Sequence, residues 1–334
     1  MKNIAIIGGG TGTFTLLAGL RKFPSNNTVI VSSADDGGST GVLRRELGVM
    51  PVGDIRQCLV GLSYTDARMR RIFSYRFEKG SLAGHTAGNI LLAAAEKTTG
   101  SIAEAIALAG KMLNVRGAII PVTLFPTRLT ATYSDGRKVA GEHKIDEPKN
   151  PSRASITGLA LSPSGPANPQ ALAALRRADA IIFGPGDLFT SVLPNLLASG
   201  VREAVAHSRA KKILITNIMT KPGQTNGFRA SDFVRTLNDY LAIGGTAHPI
   251  DTAVVNSKKP AASLLIPYRK QKAAYVEPDT AAITALGVDA AAGDFLARRV
   301  FARPRGDRLA RSALRHDSDK TARIIWKLLE THNP

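Results

Sequence analysis

Residues 4–13 read Ile-Ala-Ile-Ile-Gly-Gly-Gly-Thr-Gly-Thr, an apolar run that ends in four glycines and two threonines before the helical Phe14–Leu20. This pattern is a strand, a glycine turn and a helix start. The first N–H groups of a helix have no internal partner, point outward together and carry the positive end of the helix dipole, so an anion fits there. Glycine lets the backbone approach that ligand and adopt positive φ. Gly8, Gly10 and Gly12 leave Thr13 or Thr15 where the last glycine of a dinucleotide fingerprint would stand. The turn therefore points to a phosphate-bearing ligand at Gly9, Gly10, Thr11, Gly12 and Thr13 rather than to NAD, with a bare tight turn as the alternative.

Further apolar runs lie at Thr28–Ser32, Ala118–Val122, Ala180–Phe183, Ile213–Asn217 and Ala253–Val255. Unbroken Ile/Val runs bounded by turn residues suit a parallel sheet buried on both faces. Helical patterns fall at Thr13–Lys22, Ile55–Ser63, Gly88–Thr98, Ser101–Leu113, Gln170–Arg177 and Ser231–Ala242. Asn168-Pro169 and Ala230-Ser231 read as helix starts, since Asn and Ser accept free N–H groups and Pro suits the first turn. The fold class that follows is α/β, a doubly wound and mainly parallel sheet. Between 124 and 163 the texture changes. Leu129–Tyr133 and Lys138–Ile145 alternate on either side of Asp135-Gly136, which reads as an antiparallel hairpin carrying Glu142. Glu277–Asp294 is Ala-rich and reads as a helix and turn. A single domain over 1–334, elaborated by that hairpin, is the expected organisation.

Composition narrows the functional classes. One cysteine, Cys58, leaves no internal disulfide and no multi-thiolate zinc site. Met1-Lys2-Asn3 leads into the first strand without a leader pattern, and no run approaches a membrane span, so a cytoplasmic protein without membrane insertion is expected. The net charge of +18 raises the question of a polyanionic partner. Its clusters, Arg68, Arg70, Arg71 and Arg76, then Arg298, Arg299, Arg303, Arg305, Arg308, Arg311 and Arg315, read as a solvated surface with some basic groups lining an anion site, and nucleic-acid binding is not expected.

Ligands of open α/β sheets bind outside the carboxyl ends of strands, which directs attention to the loops after strands. Ser33–Gly41 holds Asp35, Asp36 and Ser39; an acid there can accept from a ribose, hold a divalent cation or cap its own turn. Pro51–Gln57 puts Asp54, a carboxylate or an N-cap, two residues from Arg56, whose planar fork suits phosphate. Gly84–Asn89 offers His85, a base, a phosphate donor or a structural hydrogen-bonder, together with Asn89. Phe183–Ser191 repeats the opening design with Gly184, Gly186, Asp187, Thr190 and Ser191, and two such turns can bracket a diphosphate. Asn217–Thr225, with Thr220, offers an amide for a base or sugar edge. No Walker P-loop, Gly-x4-Gly-Lys-Ser/Thr, is present.

Taken in order, Gly8–Gly12, Asp35–Ser39, Pro51–Gln57, Gly84–Asn89, Gly184-Pro-Gly186 with Thr190-Ser191 and Pro194-Asn195, and Met219-Thr220 with Pro222-Gly223 resemble the YvcK-like gluconeogenesis factors of the CofD-like superfamily. The likeness runs from Ile4 to Asp317. It implies a Rossmann-like fold that binds a nucleotide-sugar such as UDP-N-acetylglucosamine and supports cell shape and envelope synthesis on gluconeogenic carbon. By the same resemblance, Tyr268 and Arg315 are the aromatic and cationic groups on that ligand. The superfamily's enzymatic branch, 2-phospho-L-lactate transferase, implies magnesium, and Asp35, Asp36 and Asp54 are the matching positions. The chain departs from the family pattern at Asp187, Phe189, Lys221 and Gln224. The expected partner is a nucleotide-sugar or related phosphate-bearing small molecule, bound by a homo-oligomer. A regulatory binder and a magnesium-dependent transferase are the two functions left open.

Overall fold

The computed structural model describes residues 1–149, 151, 153–247, 249–301 and 312–331. Among the described residues the strands are β1 (Lys2–Ile7), β2 (Ser25–Val31), β3 (Ala118–Pro121), β4 (Arg128–Tyr133), β5 (Lys138–Ala140), β6 (Ile156–Ser162), β7 (Ala180–Phe183), β8 (Lys211–Ile215), β9 (Thr252–Asn256) and β10 (Asp289–Gly293). Seven form one sheet in the order β10-β9-β8-β7-β1-β2-β3, and every pairing in it is parallel. All six apolar runs of the sequence lie in this sheet. Its two faces bury separate cores: Ile4 and Ile6 of β1 point into one, Ala5 and Ile7 into the other. Each such isoleucine contributes about 1.5–3 kcal/mol by leaving water.

Between β1 and β3 lie the helices α1 (Gly10–Leu20), α2 (Gly38–Leu47), α3 (Gly53–Gly61), α4 (Ala67–Ser74), α5 (Ala87–Thr99) and α6 (Ile102–Met112). From β1 the chain winds outward through β2 and β3, then returns to β7 on β1's other side and winds the opposite way through β8, β9 and β10. The switch in winding falls between β1 and β7. At such a point the loops leaving neighbouring strands part and open a crevice beyond the strands' carboxyl ends. Those loops are the two glycine turns.

The hairpin is present as β4 paired with β5, and β6 adds a third antiparallel strand on β4's other edge. Lys138–Ile145 does not stay extended. It breaks at Gly141, whose φ of +111° turns the chain out of the strand, and Glu142–Asp146 forms a short helix, α7. Asp36 Oδ1 accepts from His143 N at 2.8 Å, a first-turn donor of α7. Glu277–Asp294 likewise holds more than a helix and turn, because Asp289–Gly293 pairs with β9 as the sheet's last strand. Asn168 caps its helix through Gln170 N at 3.0 Å, as expected. Ser231 does not cap: the helix begins at Ala230, and the Ser231 hydroxyl donates to Asp279 instead. Of the second basic cluster, Arg303, Arg305, Arg308 and Arg311 lie outside the described residues. Among the described residues no helix is long and apolar enough to cross a membrane.

Candidate functional site

A cleft of about 820 Å³ opens at the switch point. Its floor is the pair of glycine turns. Gly10 and Gly184 have φ of +71° and +77°, a region that side chains disfavour. A Cβ on Gly12 would stand 2.3 Å from the Pro185 carbonyl oxygen, and one on Gly9 would stand 1.9 Å from Asp54 Oδ2. The two turns therefore touch, and only glycine permits it. Thr13 Oγ1 ties them by donating to Pro185 O at 3.4 Å. Thr13 and Gly184 serve this junction without lining the cleft, whereas Gly9, Gly10, Thr11, Gly12, Gly186, Asp187, Thr190 and Ser191 all face it.

Several helices start at the cleft. First-turn residues of α1 (Gly10, Thr11 and Gly12), α2 (Ser39 and Thr40), α3 (Asp54 and Arg56) and α5 (Asn89) all line it. At α1, α2 and α3 the N-cap residues are Gly9, Gly37 and Val52, and none supplies a side-chain cap. Asp54 is thus a first-turn carboxylate and not an N-cap. Only α5 is capped, by Thr86, which accepts from Asn89 N at 3.4 Å. Each N-terminus without a side-chain cap turns the positive end of its helix dipole toward this one space.

The buried Arg56 donates from Nε to Asn89 Oδ1 at 2.9 Å, and Asn89 Nδ2 donates to Ser39 Oγ at 3.1 Å. His85 does not line the cleft; its Nδ1 lies 3.0 Å from Ser39 Oγ, behind the wall.

Carboxylates offset the positive floor. Asp35 and Asp54 line the cleft; Asp36 does not, being bound to α7. Among the described residues no three acidic, histidine or cysteine groups cluster as a metal-holding set. Burial raises Asp35 above its ordinary value, while the Gly37 N–H and the Thr40 hydroxyl work against the shift. Burial likewise pushes Glu142 well above the usual carboxyl range, and the surrounding Asp146, Asp35, Asp54 and Asp36 push it further. Lys221 Nζ sits 3.0 Å from Asp146 Oδ2 and 3.1 Å from Asp187 Oδ2. Burial alone would lower Lys221, but these two carboxylates outweigh it and hold the ammonium charged. Asp146 also accepts from Thr190 Oγ1 at 3.0 Å and Gln224 Nε2 at 3.2 Å, so α7 is tied to both loops beyond β7 and β8.

Tyr268 and Arg315 stand together at the far end, with Asn217 and Thr220 on the adjoining wall. The Tyr268 hydroxyl accepts from Leu314 N at 2.8 Å and meets Ser312 Oγ at 2.8 Å, and Arg315 Nε donates to Ser312 O at 3.1 Å. The Thr220 hydroxyl accepts from Ala274 N, a structural bond. His316 borders the same end. Burial lowers its imidazole to about 4, against a smaller opposing effect of the Thr216 backbone.

Sequence reasoning named Arg76 only as part of a basic cluster and did not single out Asp146 or His316; all three line the cleft. The available signal was the unusual pair Asp187 and Lys221, opposite charges in two loops already aimed at one sheet edge.

Fold and cleft together define a Rossmann-like α/β protein with an open polar cleft at the switch point. The model of the family described as 2-phospho-L-lactate transferase CofD matches residues 4–296. A Bacillus subtilis protein named gluconeogenesis factor is 38% identical over 98% of this chain and 98% of its own length. A relative from Nostoc is 43% identical over 85% of this chain, which spans 61% of that protein. A crystal structure of a Bacillus halodurans protein, described as a member of the UPF0052 family, superposes with a TM-score of 0.87 at 38% identity, covering 97% of this chain and 98% of that one. The chain belongs to the CofD family and, within it, to the gluconeogenesis factors.

Proposed function

We propose that the cleft binds a nucleotide-sugar of the UDP-N-acetylglucosamine class. The diphosphate rests on the N–H groups of Gly10–Thr13 and of the Gly186–Thr190 turn, with Arg56 adding charge, while Tyr268 and Arg315 take the nucleoside end. The observation that carries this reading is the convergence of uncapped helix N-termini and two touching glycine turns on one cleft. Binding then biases a conformation that partner proteins detect, because a ligand regulates only through different affinities for two states. In the cell this links envelope synthesis and shape to gluconeogenic growth.

A second reading, transfer of a phosphate-bearing group, is favoured by the family description and by Asp35 and Asp54. Two carboxylates beside phosphate oxygens fit magnesium, which keeps waters and takes few protein ligands. Bound there, the ion would neutralise charge on the phosphates; Asp35 and Asp54 would hold it, and Arg56 would orient the phosphate. Isothermal titration with UDP-N-acetylglucosamine, with and without magnesium, followed by product analysis, separates the readings. Saturable binding with intact ligand is expected. Turnover supports transfer, and an absence of heat with any uridine nucleotide-sugar contradicts the binding proposal.

A further inference from the structure

One hydrogen-bond path leaves the cleft through its wall. It runs from Arg56 to Asn89 at 2.9 Å, from Asn89 to Ser39 at 3.1 Å and from Ser39 to His85 at 3.0 Å. Its direction is set by chemistry. A guanidinium only donates and the amide nitrogen of Asn89 only donates, so Ser39 Oγ must accept from Asn89 and can pass its own proton to His85 Nδ1. The three inner members come from different helices, Arg56 from α3, Asn89 from α5 and Ser39 from α2, and all are at least nine-tenths buried. His85 is the member held by its backbone: His85 N donates to Leu82 O, and its carbonyl accepts from Phe77 N, both at 3.0 Å.

We propose that His85 is a positioning residue, whose Nδ1 fixes the donor direction of this chain and so holds the Arg56 guanidinium ready for an anionic group of the ligand. Fixing a long cationic side chain before the ligand arrives removes an ordering cost from binding. The proposal rests on the reading that the cleft takes a phosphate-bearing ligand. It also explains why a histidine in a glycine loop beside the site stands behind the wall and not in it.

Two measurements test it. In ligand-free protein, NMR of the Arg56 Nε–H, assigned through Arg56→Lys, is expected to show slow exchange with water. Slow exchange persists in His85→Asn, whose Oδ1 stands where Nδ1 stood, and is lost in His85→Ala and Ser39→Ala. In titration with UDP-N-acetylglucosamine, His85→Ala is expected to bind about 5- to 10-fold more weakly, His85→Asn to recover most of that loss, and His85→Ala to add little in an Arg56→Lys background. Equal protection of Arg56 Nε–H in wild type, His85→Ala and Ser39→Ala overturns the proposal. So does a binding loss that Asn does not rescue. If wild type does not bind this ligand, the nucleotide-sugar reading fails, and the ligand-free NMR still decides the role of His85.

Discussion

Glu142 lines the cleft among the carboxyl groups of Asp146, Asp35, Asp54 and Asp36. Burial and four neighbouring aspartates raise its folded-state value above the ordinary 4.5. A raised carboxyl means that the folded state holds its proton more tightly than the unfolded chain, so stability falls as pH climbs above 4.5. Glu142→Gln removes that loss. The variant is expected to melt at a higher temperature than wild type at pH 7 and at the same temperature near pH 4; equal melting at both pH values contradicts this. Much of the residue scale was legible because its rules are local. A glycine turn after a strand places Gly9–Gly12 and Gly186 without knowledge of the rest. Asp146 was not legible, since its partner Lys221 lies 75 residues away and the ion pair exists only after α7 has folded against the loop beyond β8.

At the scale of elements, the junction of the two glycine turns is the most demanding contact. A methyl group at position 12 meets backbone and not a yielding side chain, the Pro185 oxygen at 2.3 Å. Gly12→Ala is expected to destabilise the fold by about 1–3 kcal/mol through overpacking, read as a shift in the urea midpoint at constant slope. An unchanged midpoint contradicts the contact. Element boundaries were less legible than element existence. The alternating run after Asp135-Gly136 satisfies the strand pattern through Ile145, yet Gly141 and the carboxylate of Asp36 convert its second half to α7. β10 hid in an Ala-rich stretch because an edge strand needs little hydrophobic signal when its pairing comes from β9. The third strand of the small sheet, β6, pairs with β4 across the intervening α7, a non-local contact that no turn residue announces.

For the whole molecule, the winding of the sheet decides where chemistry can occur. Because β1 and β7 are neighbours whose chains depart in opposite directions, the loops of an early and a late segment meet, and loops from β2 and β8 close the sides. This placement was legible from the order of strand-like runs once a parallel sheet was inferred. The net charge of +18 was only a partial guide to it, since Arg76 and Arg315 of the two basic clusters line the cleft beside helix N-termini and a set of carboxylates. On the proposed reading, most of the affinity comes from phosphate and little from the nucleoside alone. Calorimetric titration with uridine, UDP and UDP-N-acetylglucosamine under one buffer and salt concentration tests this directly. Two charge-assisted hydrogen bonds at about 1.5 kcal/mol each give UDP and the nucleotide-sugar at least about a 100-fold advantage over uridine. Uridine binding as tightly as UDP would contradict the anion cradle on which the account stands.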